Sequence, residues 1–547
     1  MPRTPRIRGE APSRLKSPRS RGGHSGGIDR LAIAGFLGLL VLVLLTFRDY
    51  GLTWDEPAFA AYGNDIARFY ATGGADRAAV APGYLRLYGG LFEALAAVWV
   101  RLLPFDAYDA RHLLIALAGL GGIAACWRAA RLLGGPLAGL LAGALLAITP
   151  GYWGHLFNNS KDLPFAAACM WALSAWLSWV AGWPKVRQWR VAEAAVATGI
   201  ALGIRMAGGL TWALAVAAFG FALWRGAPGV RRVAGRLGIA LVAALAGGWM
   251  IMLAGWPWAL LHPCTVPVSS LARFSRFADW DGPILFGGRA VRAVALPWDY
   301  VPRLLFLTLP EPVIILLGGG LVWWIVAAWR RRRIMPAPLS PGHVMVAAVA
   351  VVPVVLVIAG RSVLFNGLRH MLFILPPLAC LAGLAAAAGV TWLRRARPVI
   401  RATVLVSAAV LVALDVATLA ALHPYEHVAY NQFAGGLAGA QGRYELDYWG
   451  SPYREAALGL LARMEAEGPE SASRPWRVFV CEPAESALHY LPATFLRVTD
   501  PARADFFFVI AGGSCRPPRI APAFAVARMG VPLAWVVDLR TPRGVLH

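Results

Sequence analysis

Four short stretches hold paired or isolated ionisable residues at the edges of long apolar runs. Asp55 and Glu56 stand side by side in GLTWDEPAFAAY at 51–62, and Lys161 and Asp162 precede Pro164 in HLFNNSKDLPF at 155–165. Arg205 interrupts the glycine-rich IALGIRMAGG, and Arg369 with His370 opens RHMLFILPP. A carboxylate near hydrocarbon costs several kcal/mol unless it is hydrated or paired, so acids at such boundaries point to chemistry. A carboxylate there can take a proton from a hydroxyl, while arginines beside helix ends suit a phosphate. Helix capping is the plainer alternative, with Asp55 as N-cap before Pro57 and Lys161 with Asp162 as an ion pair at a helix start.

The elements that must position these residues are membrane spans. Of the 547 residues, 58% are hydrophobic and only 15% charged, which is too apolar for a soluble chain of this size. The net charge of +23 is spread over short basic clusters between apolar runs. That is the positive-inside pattern and not a nucleic-acid footprint. The predicted fold class is a polytopic α-helical membrane protein with a small C-terminal α/β domain.

Residues 1–30, rich in Arg, Ser, Pro and Gly, are predicted to be a disordered basic cytoplasmic tail. A transmembrane domain follows over 31–422, with about eleven spans at 31–48, 111–130, 136–153, 164–182, 191–206, 208–224, 237–256, 304–328, 342–360, 370–390 and 402–421. The segment 84–103 is read as a juxtamembrane amphipathic helix on the outer face. Only then do Arg128, Arg131 and the clusters at 185–190, 225–236, 330–333 and 394–401 all fall inside. The N-terminus is then cytoplasmic and the C-terminus extracytoplasmic. The outer loops are 49–110, 154–163 and 257–303, and all four stretches lie on the outer side.

Residues 423–547 form the predicted extracytoplasmic α/β domain, with strands near 477–481, 494–498, 505–510 and 533–539. No CxxC pair is present, and Cys481 and Cys515 are either a disulfide or two buried thiols. His423, Glu426 and His427 are read as a hydrogen-bonded junction between the last span and this domain rather than as metal ligands. Trp256, Trp258, Trp298 and Tyr300 are read as interfacial aromatics rather than sugar-stacking rings.

In combination, these features resemble the GT-C superfamily of integral-membrane glycosyltransferases, in the branch of protein O-mannosyltransferases and bacterial aminoarabinose transferases. The matching residues are the Asp55 and Glu56 pair after the first span, Asp162 in the second outer loop, Arg205 after the fifth span, and the R-H-x-L-x-x-x-P-P stretch at 369–377. The chain departs from the commonest family pattern in reading APGY at 81–84, where HPP is usual.

The resemblance implies an inverting glycosyltransferase of the bacterial cytoplasmic membrane. It would move a sugar from a polyprenyl-phosphate donor, undecaprenyl phosphate in bacteria, to a glycan, lipid or protein acceptor on the outer face. Asp55 would be the general base, with Glu56 and Asp162 as further catalytic carboxylates. Lys161, Arg205, Arg369 and His370 would bind the donor phosphate. A divalent metal, where one is used, would sit at Glu56, Asp162 and His262; no other cofactor is implied. A transporter would instead call for inverted repeats and mid-membrane charges. A non-catalytic partner in an envelope polysaccharide assembly would have no need of the outer-loop acids.

Overall fold

The structure is a computed structural model that describes residues 24–275, 280–330, 340–468, 474–512, 515 and 518–540. Most of the predicted basic tail, residues 1–23, and the arginines at 331–333 lie outside the described residues. Helix His24–Thr46 begins within the stretch assigned to the tail.

Among the described residues, eight helices are long and apolar enough to cross a membrane, or nine if a bent pair counts as one. The chain is a multi-pass membrane protein. Two predicted spans are shorter: Pro136–Ala147 has 12 residues and Gln188–Ile204 has 17, against the roughly 20 that a bilayer asks for. The predicted count of eleven therefore holds only if these and the bent pair also cross. Segment 84–103 contains one 10-residue helix, Leu91–Val100, about 15 Å long and too short to span. Burial ranks the bundle from centre to rim: 17 of the 20 residues of Asp162–Ala181 are buried, against Asp415 and Leu422 alone in Pro398–Leu422. An apolar helix exposed all round is what a lipid-facing position requires.

The predicted span 304–328 is not one helix. Tyr300–Thr308 and the helix that starts at Glu311 meet at a bend of 119°. Pro310 supplies no N–H and disfavours helical backbone at Leu309, so the chain turns there. The carbonyls freed by the break are satisfied by a distant residue: Asn431 donates through Nδ2 to Phe306 O (2.7 Å) and Leu309 O (2.9 Å), and through its backbone N–H to Leu307 O.

After the helix Thr265–Ser275, a hairpin pairs β1 (Pro283–Phe286) with β2 (Arg289–Arg292) through Gly287 and Gly288, both at positive φ. In the C-terminal domain, β3 (Trp476–Val480), β4 (Phe495–Arg497), β5 (Phe506–Ile510), β6 (Phe524–Arg528) and β7 (Val531–Asp538) form a mixed sheet ordered β4-β3-β5-β7-β6. β3 runs parallel to β4 and β5, and β7 runs antiparallel to β5 and β6. The FFFVI run of β5 is buried on both faces. Phe506, Phe508 and Ile510 join a large core cluster with the helix Tyr453–Ala466, while Phe507 and Val509 pack beside Cys481. Cys481 and Cys515 are joined as a disulfide.

Candidate active site

The stretch after the first apolar helix folds so that its two acids part. Glu56 Oε2 accepts from the Thr53 N–H (2.9 Å) and hydroxyl (3.1 Å), a reach-back of the capping-box kind in which a glutamate satisfies a free N–H at a helix start. Its other oxygen meets His112 Nε2 at 3.0 Å, and both side chains are fully buried. Asp55 makes no cap bond of its own, so the simple N-cap role does not apply. Its carboxylate instead points into a cavity of about 1700 Å³.

Two cations converge on one Asp55 oxygen. Lys161 Nζ lies 2.8 Å from Oδ2 and Arg369 donates to it at 2.5 Å. The Lys161 and Arg369 side chains are only 9% and 4% exposed, whereas Asp55 is 23% exposed, towards the cavity. Burial alone would raise the Asp55 carboxyl, but Lys161 and then Arg369 overcome it and hold the group well below the usual carboxylate range. Burial lowers Lys161, with Asp55 opposing. Behind this pair, Arg205 is ion-paired with buried Asp162, which exchanges two hydrogen bonds with Asn159: the Asp162 N–H donates to Asn159 Oδ1 (2.9 Å) and Asn159 Nδ2 donates to Asp162 Oδ2 (3.3 Å).

Aromatic rings hold the cations in place. Tyr88 lies under both Arg205 (5.6 Å) and Lys161 (5.8 Å), and Arg369 lies over Phe365 (5.0 Å) and Trp449 (5.4 Å). Three cations face two carboxylates in this corner, and the Nε atoms of Arg205 and Arg369 are buried without a partner. A positive corner with unused buried donors suits an incoming anion.

Of the residues singled out from sequence, Asp55, Lys161, Arg205, Arg369 and His370 all line the cavity. His370 packs edge-on against Phe365 at 4.6 Å. Glu56 and Asp162 sit behind the wall, and His262 lies against Trp258 at 4.3 Å. The metal set of Glu56, Asp162 and His262 is not assembled: among the described residues no three His, Cys, Asp or Glu groups gather to hold an ion. The oxygens of Glu56 are taken by Thr53 and His112, and those of Asp162 by Arg205 and Asn159.

Sequence reasoning missed the wall contributed by the segment 441–449. Glu445, Tyr448 and Trp449 line the cavity, and the Trp449 carbonyl accepts the Trp54 N–H at 3.0 Å. Burial pushes the Glu445 carboxyl up to about 7, against the opposing Gly367 N–H and Arg369. Nearby, His427 Nε2 meets Asp447 Oδ1 at 3.0 Å, and Asp447 also accepts from Gly450 N and Ser451 Oγ. The close fit shows at Gly51, where a Cβ would stand 2.2 Å from the Ser451 carbonyl, and at Gly154, where one would stand 2.1 Å from the His427 nitrogen. His423 bonds Glu426 (2.9 Å) and Asp49 (3.0 Å), and Tyr50 donates to Glu426 (3.0 Å), so His423 and Glu426 tie the end of the last long helix to the stretch after the first one.

No protein-family model matches the chain. No curated protein matches it either. Among solved structures it is similar to ArnT from Cupriavidus metallidurans in the apo state, with 17% identity, 95% of this chain and 100% of that chain covered, and a TM-score of 0.48. It is also similar to the oligosaccharyltransferase AglB from Archaeoglobus fulgidus in complex with an inhibitory peptide and a dolichol-phosphate, with 13% identity, 86% of this chain and 65% of that chain covered, and a TM-score of 0.47.

Proposed function

We propose that this protein is an inverting glycosyltransferase that moves a sugar from a polyprenyl-phosphate donor, undecaprenyl phosphate in a bacterium, to an acceptor hydroxyl on the outer face of the cytoplasmic membrane. The observation that carries this reading is the shared grip of Lys161 and Arg369 on Asp55 at the wall of a large cavity. That cavity also reaches Pro353, Leu356 and Val357 of the apolar helix Pro341–Gly360, so a phosphate at the cations can keep its prenyl chain in an apolar setting.

The same contacts give a sequence of events. A donor phosphate draws Lys161 and Arg369 away from Asp55, with Arg205 as a third donor. Losing those cations raises the basicity of Asp55. Asp55 then takes the proton of the acceptor hydroxyl while the acceptor oxygen bonds to the anomeric carbon. The bond from that carbon to the phosphate oxygen breaks on the opposite side, and its electron pair leaves with the phosphate, where the three cations stabilise the growing charge. The donor arms the base.

The test is a comparison of lipid-linked sugars and envelope glycans between cells that carry the protein and cells that lack it. A polyprenyl-phosphate sugar should accumulate, and one envelope glycan, lipid or glycoprotein should lose a residue, when the protein is absent. An unchanged profile of both would refute the proposal.

A further inference from the structure

Glu445 is a second carboxyl in the cavity wall, and its surroundings differ from those of Asp55. The hairpin of β1 and β2 fixes its stretch from one side: Phe286 bridges Tyr444, and the Gly288 N–H bonds the Arg443 carbonyl at 2.9 Å. From the other side the Gly367 N–H donates to Glu445 Oε2 at 3.2 Å. Besides the main cavity, Glu445 lines a smaller one of about 50 Å³ that it shares with Arg369, His155, His427, Tyr430 and Tyr448.

The hydroxyls around it are already committed. Tyr430 donates to the backbone carbonyl of Glu445 (2.9 Å), not to the carboxyl. His155 Nδ1 faces the Gly151 carbonyl (2.9 Å) and so carries the hydrogen, which leaves Nε2 to accept the Tyr448 hydroxyl (3.0 Å). Burial, with His427 nearby, pushes His155 down to about 3, so it adds no positive charge. His427 is turned to Asp447. Tyr300, from the helix Tyr300–Thr308, feels the charge of Glu445 but donates to the Gly367 carbonyl (3.4 Å). Among the described residues, the cation that supports an ionised Glu445 is Arg369, the same guanidinium that grips Asp55.

We infer that Glu445 binds a proton when the donor phosphate engages Arg369, and that it then faces the donor as a neutral acid able to give its O–H to a donor oxygen. This rests on the lipid-phosphate reading above. A phosphate at Arg369 removes the positive neighbour of Glu445 and places a negative charge in the same cavity, and both changes favour the protonated carboxyl. Its starting value of about 7 makes this proton uptake visible at ordinary pH. By linkage, the uptake also means that donor affinity falls as pH rises.

The test uses the purified full-length protein and, as probe, the methyl diester of undecaprenyl phosphate, whose single charge does not titrate in the range measured. Calorimetry near pH ~7.5 in two buffers of different ionisation enthalpy reads the protons taken up on binding. The expected results are an uptake of roughly half to three-quarters of a proton and an affinity roughly five- to tenfold weaker at pH ~8 than at pH ~6. Glu445→Gln should abolish both effects and keep an affinity within about twofold of the wild type at pH ~6. Wild-type binding with no proton uptake, or a Glu445→Gln variant that keeps the uptake, overturns the inference and leaves the lipid-phosphate reading standing. Failure of the wild type to bind the probe overturns both. Asp55 and Lys161 also gain basicity when a phosphate engages the cations, so the uptake is assigned to Glu445 by its loss in Glu445→Gln, with Glu445→Ala as the second variant if Glu445→Gln fails to fold.

Discussion

Replacing Asp55 by Asn separates its observed role, as partner of the cations, from its proposed one, as base. The amide keeps the shape but cannot hold Lys161 and Arg369 by charge, and these side chains are 9% and 4% exposed. Breaking a buried pair costs about 3 to 5 kcal/mol, and the 23% exposure of Asp55 to the cavity places this case at or below the lower end. The freed cations no longer have to leave Asp55 to reach a phosphate. Donor affinity should therefore rise; release from one charge-assisted contact of about 1.5 to 3 kcal/mol corresponds to roughly ten- to a hundredfold. Transfer should fall by roughly 100-fold or more, because the amide is not basic. Binding is read by titration of the purified variant with undecaprenyl phosphate, and transfer by conversion of the lipid-linked sugar in membranes, after folding has been checked. A variant that transfers at a near-normal rate would refute Asp55 as base. One that binds the lipid no more tightly would refute the competition between Asp55 and phosphate.

Three further outcomes are expected. Arg205→Ala should weaken binding of undecaprenyl phosphate by roughly ten- to a hundredfold, the worth of one charge-assisted contact, while Arg205→Lys should recover part of it; unchanged affinity in Arg205→Ala would remove Arg205 from the phosphate site. In a Cys264→Ser background, needed because Cys264 is exposed, a cysteine at Arg289 should react with a membrane-impermeant thiol reagent in intact cells and one at Arg395 should not; the reverse labelling would invert the orientation. His423 is raised from its ordinary value, chiefly by its hydrogen bond to Glu426 against the opposing effect of burial. A raised folded value gives stability that is complete below the unfolded value near 6.5 and lost as pH rises through the folded one, so the protection of the amides at 423–428, after the base-catalysed intrinsic rate is divided out, should fall on passing to alkaline pH in the wild type and show no such step in His423→Gln.

The half of the site that lies on the membrane helices was legible in the sequence because an acid or arginine at the edge of an apolar run stands out against its surroundings. Asp55, Lys161, Arg205 and Arg369 are four such residues, and all line one cavity. Hydropathy could not separate Asp55 from Glu56. The difference lies in the Thr53 capping bond, a local spacing that window averages do not register. The bend after Thr308 escaped for the same reason: an average over 304–328 stays apolar although Pro310 and Glu311 mark a break.

Glu445 was hidden differently. It lies in a polar stretch where one more carboxyl draws no notice, and only the fold brings it beside Arg369. The segment that carries it does three jobs at once. Asn431 satisfies the broken helix pair, Asp447 holds His427 and the turn to Ser451, and the Trp449 carbonyl pins the Trp54 N–H next to Asp55. A boundary at 422 and 423 drawn from composition thus cuts through the site rather than beside it. The loop that carries Asp55 and the 423–451 segment are coupled by direct hydrogen bonds, so a change in either is expected to be felt at Asp55.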